Sequence, residues 1–321
     1  MTRRSAVPPP VTAVLDASSR WLPARLGEVE EALREAVAGH GAVLGEDAGA
    51  TLAAGGKRLR PMLVLLCAGE AGGAASVRAA TAIELVHMAT LVHDDVLDEA
   101  PLRRGLPTVA ASSGRDRAVA AGDLLFSRAF ALLADAGDLR AVALLAEASV
   151  ALARGELVQR QDAFDTTVDE RRYLDRCRLK TARLFETACL LGHDDESLRA
   201  FGRDVGLAFQ LLDDVLDVAG PPERTGKARG TDLLDGTITL PLIEAAAIEP
   251  EIAAANLHGL DAAAAERLCD RIAATGALET VRARALEMVA AAKRVLDEAA
   301  FAPEQRQLLG LVADGVVQRY S

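Results

Sequence analysis

Five residues, Asp94-Asp95-Val96-Leu97-Asp98, recur letter for letter as Asp213-Asp214-Val215-Leu216-Asp217. Both copies sit in apolar, helically periodic surroundings: Leu91 and Val92 lead into the first, Leu211 and Leu212 into the second. Residues four apart share a helix face, so Asp94 and Asp98 point one way, as do Asp213 and Asp217. Like charges at that spacing repel, and a carboxylate set against apolar surface costs roughly several kcal/mol unless compensated. One such cluster is ordinarily a solvated helix face. Two identical copies inside apolar helices call for a shared cation, and the fold must bring them together. They begin too far apart for a solenoid repeat, but could face each other across a bundle.

The rest of the chain supplies such a bundle. Its 321 residues are half apolar and rich in Ala, Leu, Glu and Arg at helical spacing, with only 3% aromatics and little material for strands. The expectation is an all-α domain of ten or more helices around a central cavity, over residues 21–321, behind a mobile tail at 1–20 that holds Pro8 to Pro10. One amphipathic helix is expected from Trp21 to about Val43, and others near 76–98, 116–135, 138–163, 168–192 and 195–219. Gly220-Pro221-Pro222 ends the last of these, and 220–236 reads as a mobile polar loop. Thr237 to Ile248 and three further helices complete the chain.

Composition also narrows the partners. A net charge of −11 without a Lys/Arg block disfavours nucleic acid. The four scattered cysteines (Cys67, Cys177, Cys189, Cys269) form no C-x-x-C pair and read as reduced core residues. No uninterrupted apolar run reaches the roughly eighteen residues of a membrane span. The N-terminus lacks the apolar stretch of a signal peptide. The expected location is the cytoplasm.

Carboxylates without a His/Cys ligand set suit a hard cation, best Mg²⁺, which keeps few protein ligands and fills its shell with water and phosphate oxygens. The expected ligand is therefore a diphosphate lying between the two clusters. Lys57, Arg60, Arg103 and Arg104 flank the first cluster and Lys180 and Lys227 the second, a mixture of point charges and guanidinium forks that suits a polyanion. Any one of these is as well explained by an ordinary surface charge. His87 and His93 lie six apart, off ligand spacing, and each alone reads as a hydrogen-bonded helix residue.

Gly55-Gly56-Lys57-Arg58-Leu59-Arg60-Pro61, His93-Asp94-Asp95-Val96-Leu97-Asp98 and Arg103-Arg104-Gly105-Leu106-Pro107-Thr108 together resemble the trans-isoprenyl diphosphate synthases, most of all their long-chain members. Lys180-Thr181, Phe209-Gln210 through Asp217, and Gly226-Lys227 through Thr239-Leu240-Pro241 continue the match in order. The resemblance implies an isoprenoid synthase-like all-α fold, a homodimer and head-to-tail prenyl transfer from an allylic diphosphate to isopentenyl diphosphate. It also implies three Mg²⁺ ions, held mainly by Asp94, Asp98 and Asp213 with Asp95, Asp214 and Asp217 in support. Arg103, Lys180, Thr181, Gln210 and Lys227 would contact the allylic diphosphate; Lys57, Arg60, His87 and Arg104 would hold isopentenyl diphosphate. Thr237 stands where many members carry Lys, and Gly315 where an aromatic is common.

In such enzymes the product grows along the first aspartate helix. Ala89 and Thr90, about one turn before Asp94, are small, so the level reads as open and the product as long, six or more isoprene units; the alternative is a floor lying deeper, at Val86, Ile83 or another helix. A geranylgeranyl- or farnesyl-length product and the catalytic subunit of a heteromeric synthase remain the alternatives. An insoluble product would bring brief contact with a membrane surface. A terpene cyclase would generally lack the second identical motif and the Gly-Gly-Lys segment. A non-catalytic partner subunit would tolerate loss of motif aspartates, and all six are present.

Overall fold

The helix from Gly73 to Leu97 (α5) is buried on almost every side between Ser76 and Val96, with helices from before and after it in the chain packed against it. A helix apolar all round belongs in a core. By length and composition the segment Glu70–Leu97 could cross a membrane, although no unbroken apolar run marked it in the sequence. Here it is packed inside protein, and its buried Glu84 is ion-paired to Arg58 (Nη1–Oε1 2.8 Å).

The computed structural model describes residues 9–220, 229–298 and 301–318. Before α5 come α1 (Pro9–Ala17), α2 (Leu22–Val37), α3 (Ala42–Ala53) and α4 (Leu59–Ala68). After it, an antiparallel ribbon pairs β1 (Leu102–Arg103) with β2 (Leu106–Pro107), Arg103 opposite Leu106. Then follow α6 (Val109–Ser113), α7 (Arg115–Asp135), α8 (Leu139–Gln161), α9 (Glu170–Cys177), a π-helical turn at Arg178–Ala182, α10 (Arg183–Gly192) and α11 (Glu196–Ala219). The remainder is α12 (Thr231–Leu234), α13 (Leu240–Ile248), α14 (Pro250–Ala253), α15 (Ala262–Ala274), α16 (Ala277–Glu298) and α17 (Pro303–Gln318).

Three sequence expectations change. Residues 1–8 lie outside the described residues; within the rest of the segment read as a mobile tail, Pro9–Ala17 forms α1, which lies along α17 with Val14 buried and Ser18 Oγ donating to the Val14 carbonyl at 2.5 Å. Its prolines fit a helix start, where no N–H is needed. The helix expected across 21–43 is two, because Gly39 and Gly41 take φ of 77° and 81°, open to glycine and costly for other residues. The helix expected across 168–192 contains the π turn. Part of the 220–236 loop, with Lys227, lies outside the described residues; its end forms α12.

Close helix packing positions what matters. A Cβ on Gly155 of α8 would stand 2.7 Å from the Lys180 backbone nitrogen, and one on Gly206 of α11 2.7 Å from Ala182 Cα. Small residues on both sides thus seat the π turn between α8 and α11. On the other flank, Gly122 of α7 makes room for the His93 ring. All four cysteines are free and buried.

Candidate active site

The π turn places adjacent residues on opposite tasks. Lys180 pairs with Glu156 of α8 and lies close enough to Asp94 to favour its charge. Thr181, buried next to it, donates its hydroxyl to Gln210 Oε1 on α11 (2.7 Å), and Gln210 Nε2 donates to Asp214 Oδ1 (2.7 Å). Single π turns inside α-helices recur at functional sites because the wider turn redirects neighbouring side chains. Here it links the first aspartate helix to the second.

Around the first copy, Asp94 is partly buried, Asp95 buried and Asp98 exposed. Burial lifts the Asp94 carboxyl to about 6; Lys180 opposes that rise, and the charges of Glu156 and Asp98 add to it. Arg103 grips Asp95 through Nε (2.8 Å) and Nη2 (2.7 Å). Burial nevertheless keeps that carboxyl above its usual range. Asp98 is ion-paired with Arg160 of α8, whose Nε also donates to Glu156 Oε1 at 2.9 Å.

The second copy has different neighbours. Asp214 is buried and accepts from the buried Tyr173 hydroxyl (Oη–Oδ2 2.6 Å) as well as from Gln210. Burial and then the nearby Asp232 charge raise its carboxyl to about 7, against the pull of those two donors. Asp217 is buried and accepts from the Asp232 backbone N–H at 3.2 Å. Asp213 is partly buried on the same helix face as Asp217.

A cationic group forms beside the first copy. Arg60 at the start of α4 stacks on the Phe185 ring (4.8 Å to the centroid), and its Nε is buried with no hydrogen-bond partner among the described residues. Burial lowers Arg60 to about 10, with Glu84 acting the other way. His87 is held well below the usual histidine range by burial and then by Arg60, Arg104, Arg103 and Arg58. It is therefore neutral, and four guanidinium groups lie close enough to act on it. Arg104 donates to the Gly55 carbonyl, and Lys57 is exposed on the same loop. Arg58, in the left-handed region at φ 50°, instead bridges Glu30 and Glu84 and anchors that loop to the core.

Sequence reading missed Glu156, Arg160 and Tyr173. Gly155, a small residue where α8 meets the π turn, was the one local sign that Glu156 lies beside Lys180. At the chain-length level Ala89 and Val86 are fully buried and Thr90 is partly exposed, its hydroxyl donating to the His87 carbonyl at 2.8 Å. Helix α7 packs along α5, with Phe126 stacked on His93 (5.9 Å between ring centroids).

Residues 42–273 match the polyprenyl synthetase family model. The chain belongs to that family. Heptaprenyl diphosphate synthase component 2 of Geobacillus stearothermophilus is 42% identical over 262 residues, 78% of this chain and 82% of that protein. Octaprenyl diphosphate synthase of Escherichia coli is 38% identical over 280 residues, 83% of this chain and 86% of that protein. Among solved structures, a polyprenyl synthase from Caulobacter crescentus, complexed with calcium and isoprenyl diphosphate, superposes with a TM-score of 0.89 at 33% identity. That match covers 97% of this chain and 98% of that one.

The fit of a divalent cation to this polyprenyl synthetase can be judged from its own donors. Asp94 and Asp214 are carboxylates that the fold keeps short of water, and a hard cation relieves that cost. Among the described residues no three His, Cys, Asp or Glu side chains stand together as a ready-made cage.

Proposed function

We propose that this polyprenyl synthetase condenses isopentenyl diphosphate head to tail with an allylic diphosphate, such as farnesyl or geranylgeranyl diphosphate, to give an all-trans polyprenyl diphosphate. The observation that carries it is the π turn whose two neighbours, Lys180 and Thr181, connect to the two copies of one aspartate motif. Three Mg²⁺ ions, held by Asp94, Asp98 and Asp213, would neutralise the diphosphate as it leaves the allylic carbon. Lys180, Arg103, Thr181, Gln210 and Lys227 bind and orient that diphosphate. Lys57, Arg60, Arg104 and neutral His87 hold the isopentenyl diphosphate without metal. Its double bond attacks the allylic cation, and the departed diphosphate takes the proton released. The buried surroundings of Asp214 and Thr181 keep water away from the cation.

A long product, six or more units, agrees with the seven- and eight-unit names of the two relatives. The growing chain would part α5 from α7 beside Ala89. Ala89→Phe should then shorten the product ladder, and an unchanged ladder would remove this tunnel.

A homodimer is the proposed assembly. Leu139, Ala143, Ala146, Val150, Ala153 and Leu157 form one exposed apolar stripe along α8, with Leu139 77% and Leu157 63% exposed. Such a stripe calls for a partner. The Geobacillus relative is one component of its enzyme, which favours a heteromer as the second reading. The enzyme would work in the cytoplasm, where its thiols stay reduced, and touch a membrane surface to release product.

The test is to incubate the purified protein alone with Mg²⁺, labelled isopentenyl diphosphate and farnesyl diphosphate, and to size the extracted products. A ladder ending at six or more units is expected. Diphosphate binding without product would point to a missing second chain, and neither binding nor product would overturn the reading.

A further inference from the structure

Four charged side chains from three helical segments form one line at the first aspartate copy. Asp98 of α5 pairs with Arg160 Nη2; Arg160 Nε donates to Glu156 Oε1 at 2.9 Å; Glu156 Oε2 receives Lys180. Each Glu156 oxygen therefore serves one cation, and Arg160 is forked between two carboxylates. Glu156 is the enclosed member, its side chain 14% exposed, whereas Arg160 and Asp98 are 39% and 32% exposed. Asp94 senses the same line, with Lys180 favouring its charge and Glu156 and Asp98 opposing it.

We infer that Arg160 is a resident counter-cation of the divalent-cation site. It is paired with Asp98, and an incoming ion must displace it. Glu156 is the post that keeps it in place. When Asp98 turns to an ion, Arg160 stays tethered through Nε to Glu156, one side chain away from Lys180. Its charge then remains at the edge of the diphosphate site, where it can meet a phosphate oxygen. Arg160 is thus a positioning residue that sets how readily the first aspartate copy accepts an ion, and Glu156 sets the strength of that control. The inference rests on the proposed ligation of Asp98 and adds a competitor for it.

Competition between Arg160 and an incoming ion fixes the sign of each effect. Removing the Arg160 charge takes away a competing cation, so ion affinity should rise. Neutralising Glu156 frees Arg160 to engage Asp98 with both ends of its fork, so affinity should fall. Two unit charges a few ångströms apart near a protein surface interact strongly enough for about a tenfold change in affinity.

Mn²⁺ binding to the full-length protein, followed by electron paramagnetic resonance without any diphosphate, tests this. Arg160→Gln should bind Mn²⁺ about tenfold tighter than the parent, Glu156→Gln several-fold weaker, and Arg160→Lys, which keeps the charge, close to the parent. Circular dichroism melts restrict the comparison to folded variants, and the half-exposed Arg160 position tolerates all three side-chain sizes. Unchanged or weaker Mn²⁺ binding in Arg160→Gln overturns the inference. Asp98→Ala separates the two levels. If it leaves Mn²⁺ binding intact, the ligation of Asp98 is wrong and the inference falls with it. If it weakens binding while Arg160→Gln has no effect, only the counter-cation role is lost.

Discussion

The two aspartate pentapeptides are identical in sequence and unlike in surroundings. The first meets cations: Arg103 on Asp95 and Arg160 on Asp98, with Lys180 near Asp94. For Asp214 and Asp217 of the second copy, the described hydrogen-bond donors are neutral: a phenol, an amide and a backbone N–H. Five equal letters therefore meet different partners. The ribbon and α8 bring guanidinium groups to the first, while α9, α11 and α12 bring hydrogen-bond donors to Asp214 and Asp217, and Arg176 also acts on Asp214.

The largest expected effect tests whether both copies serve one reaction. Asp94→Ala and Asp213→Ala should each lower kcat by about 10²- to 10³-fold or more, as loss of one electrostatic stabiliser does. Steady-state turnover measures it, and near-normal turnover in either variant would break the pairing of the two copies.

A smaller effect sharpens the contrast in how they are held. Tyr173→Phe leaves the buried Asp214 short of one donor and should cost about 1–3 kcal/mol of stability. Arg103→Gln, at a side chain 33% exposed, keeps an amide that can donate to the buried Asp95 and should cost about 1 kcal/mol or less. Its larger effect should be a higher KM for the allylic substrate. Urea unfolding of both variants decides, and equal losses would erase the distinction.

The smallest effect is in pH. The Asp94 and Asp214 carboxyls lie at about 6 and about 7, above their unfolded values near 3.9. In the metal-free protein the folded state therefore holds extra protons between about pH 4 and 7, and its stability declines as pH rises through that window. A divalent cation takes the place of those protons. The rise in thermal midpoint on adding Mg²⁺ should thus be greater at pH 7.5 than at pH 5.5, by about 2 °C for roughly 1 kcal/mol of linkage. Calorimetry at the two pH values checks it, and an equal rise at both would contradict it.

How much of this was readable in the sequence follows from the range of the forces involved. Helical periodicity is local, so the long elements and the central place of the two aspartate helices were legible. Motif order was enough to point to the family. Residues 9–17 read as part of a mobile tail because prolines look like a break, yet Val14 finds a buried place against α17 that no local pattern announces. Arg58 stood in the sequence only as part of a motif and Glu84 carried no local signal; their pairing joins segments 26 residues apart. Glu156, Arg160 and Tyr173 were missed for the same reason. Their roles come from which side chain stands opposite across a helix contact, and only Gly155 and Gly206 hinted at how close those contacts are.

The central claim is that one cation–diphosphate cluster spans both aspartate copies. Anomalous diffraction from crystals grown with Mn²⁺ and an unreactive farnesyl thiolodiphosphate tests it most directly. The account predicts Mn²⁺ peaks within coordination distance of Asp94 and Asp98 on one side and Asp213 on the other, with the diphosphate between them and Arg160 turned away from Asp98. Ions confined to one copy, or a diphosphate bound away from both, would contradict it.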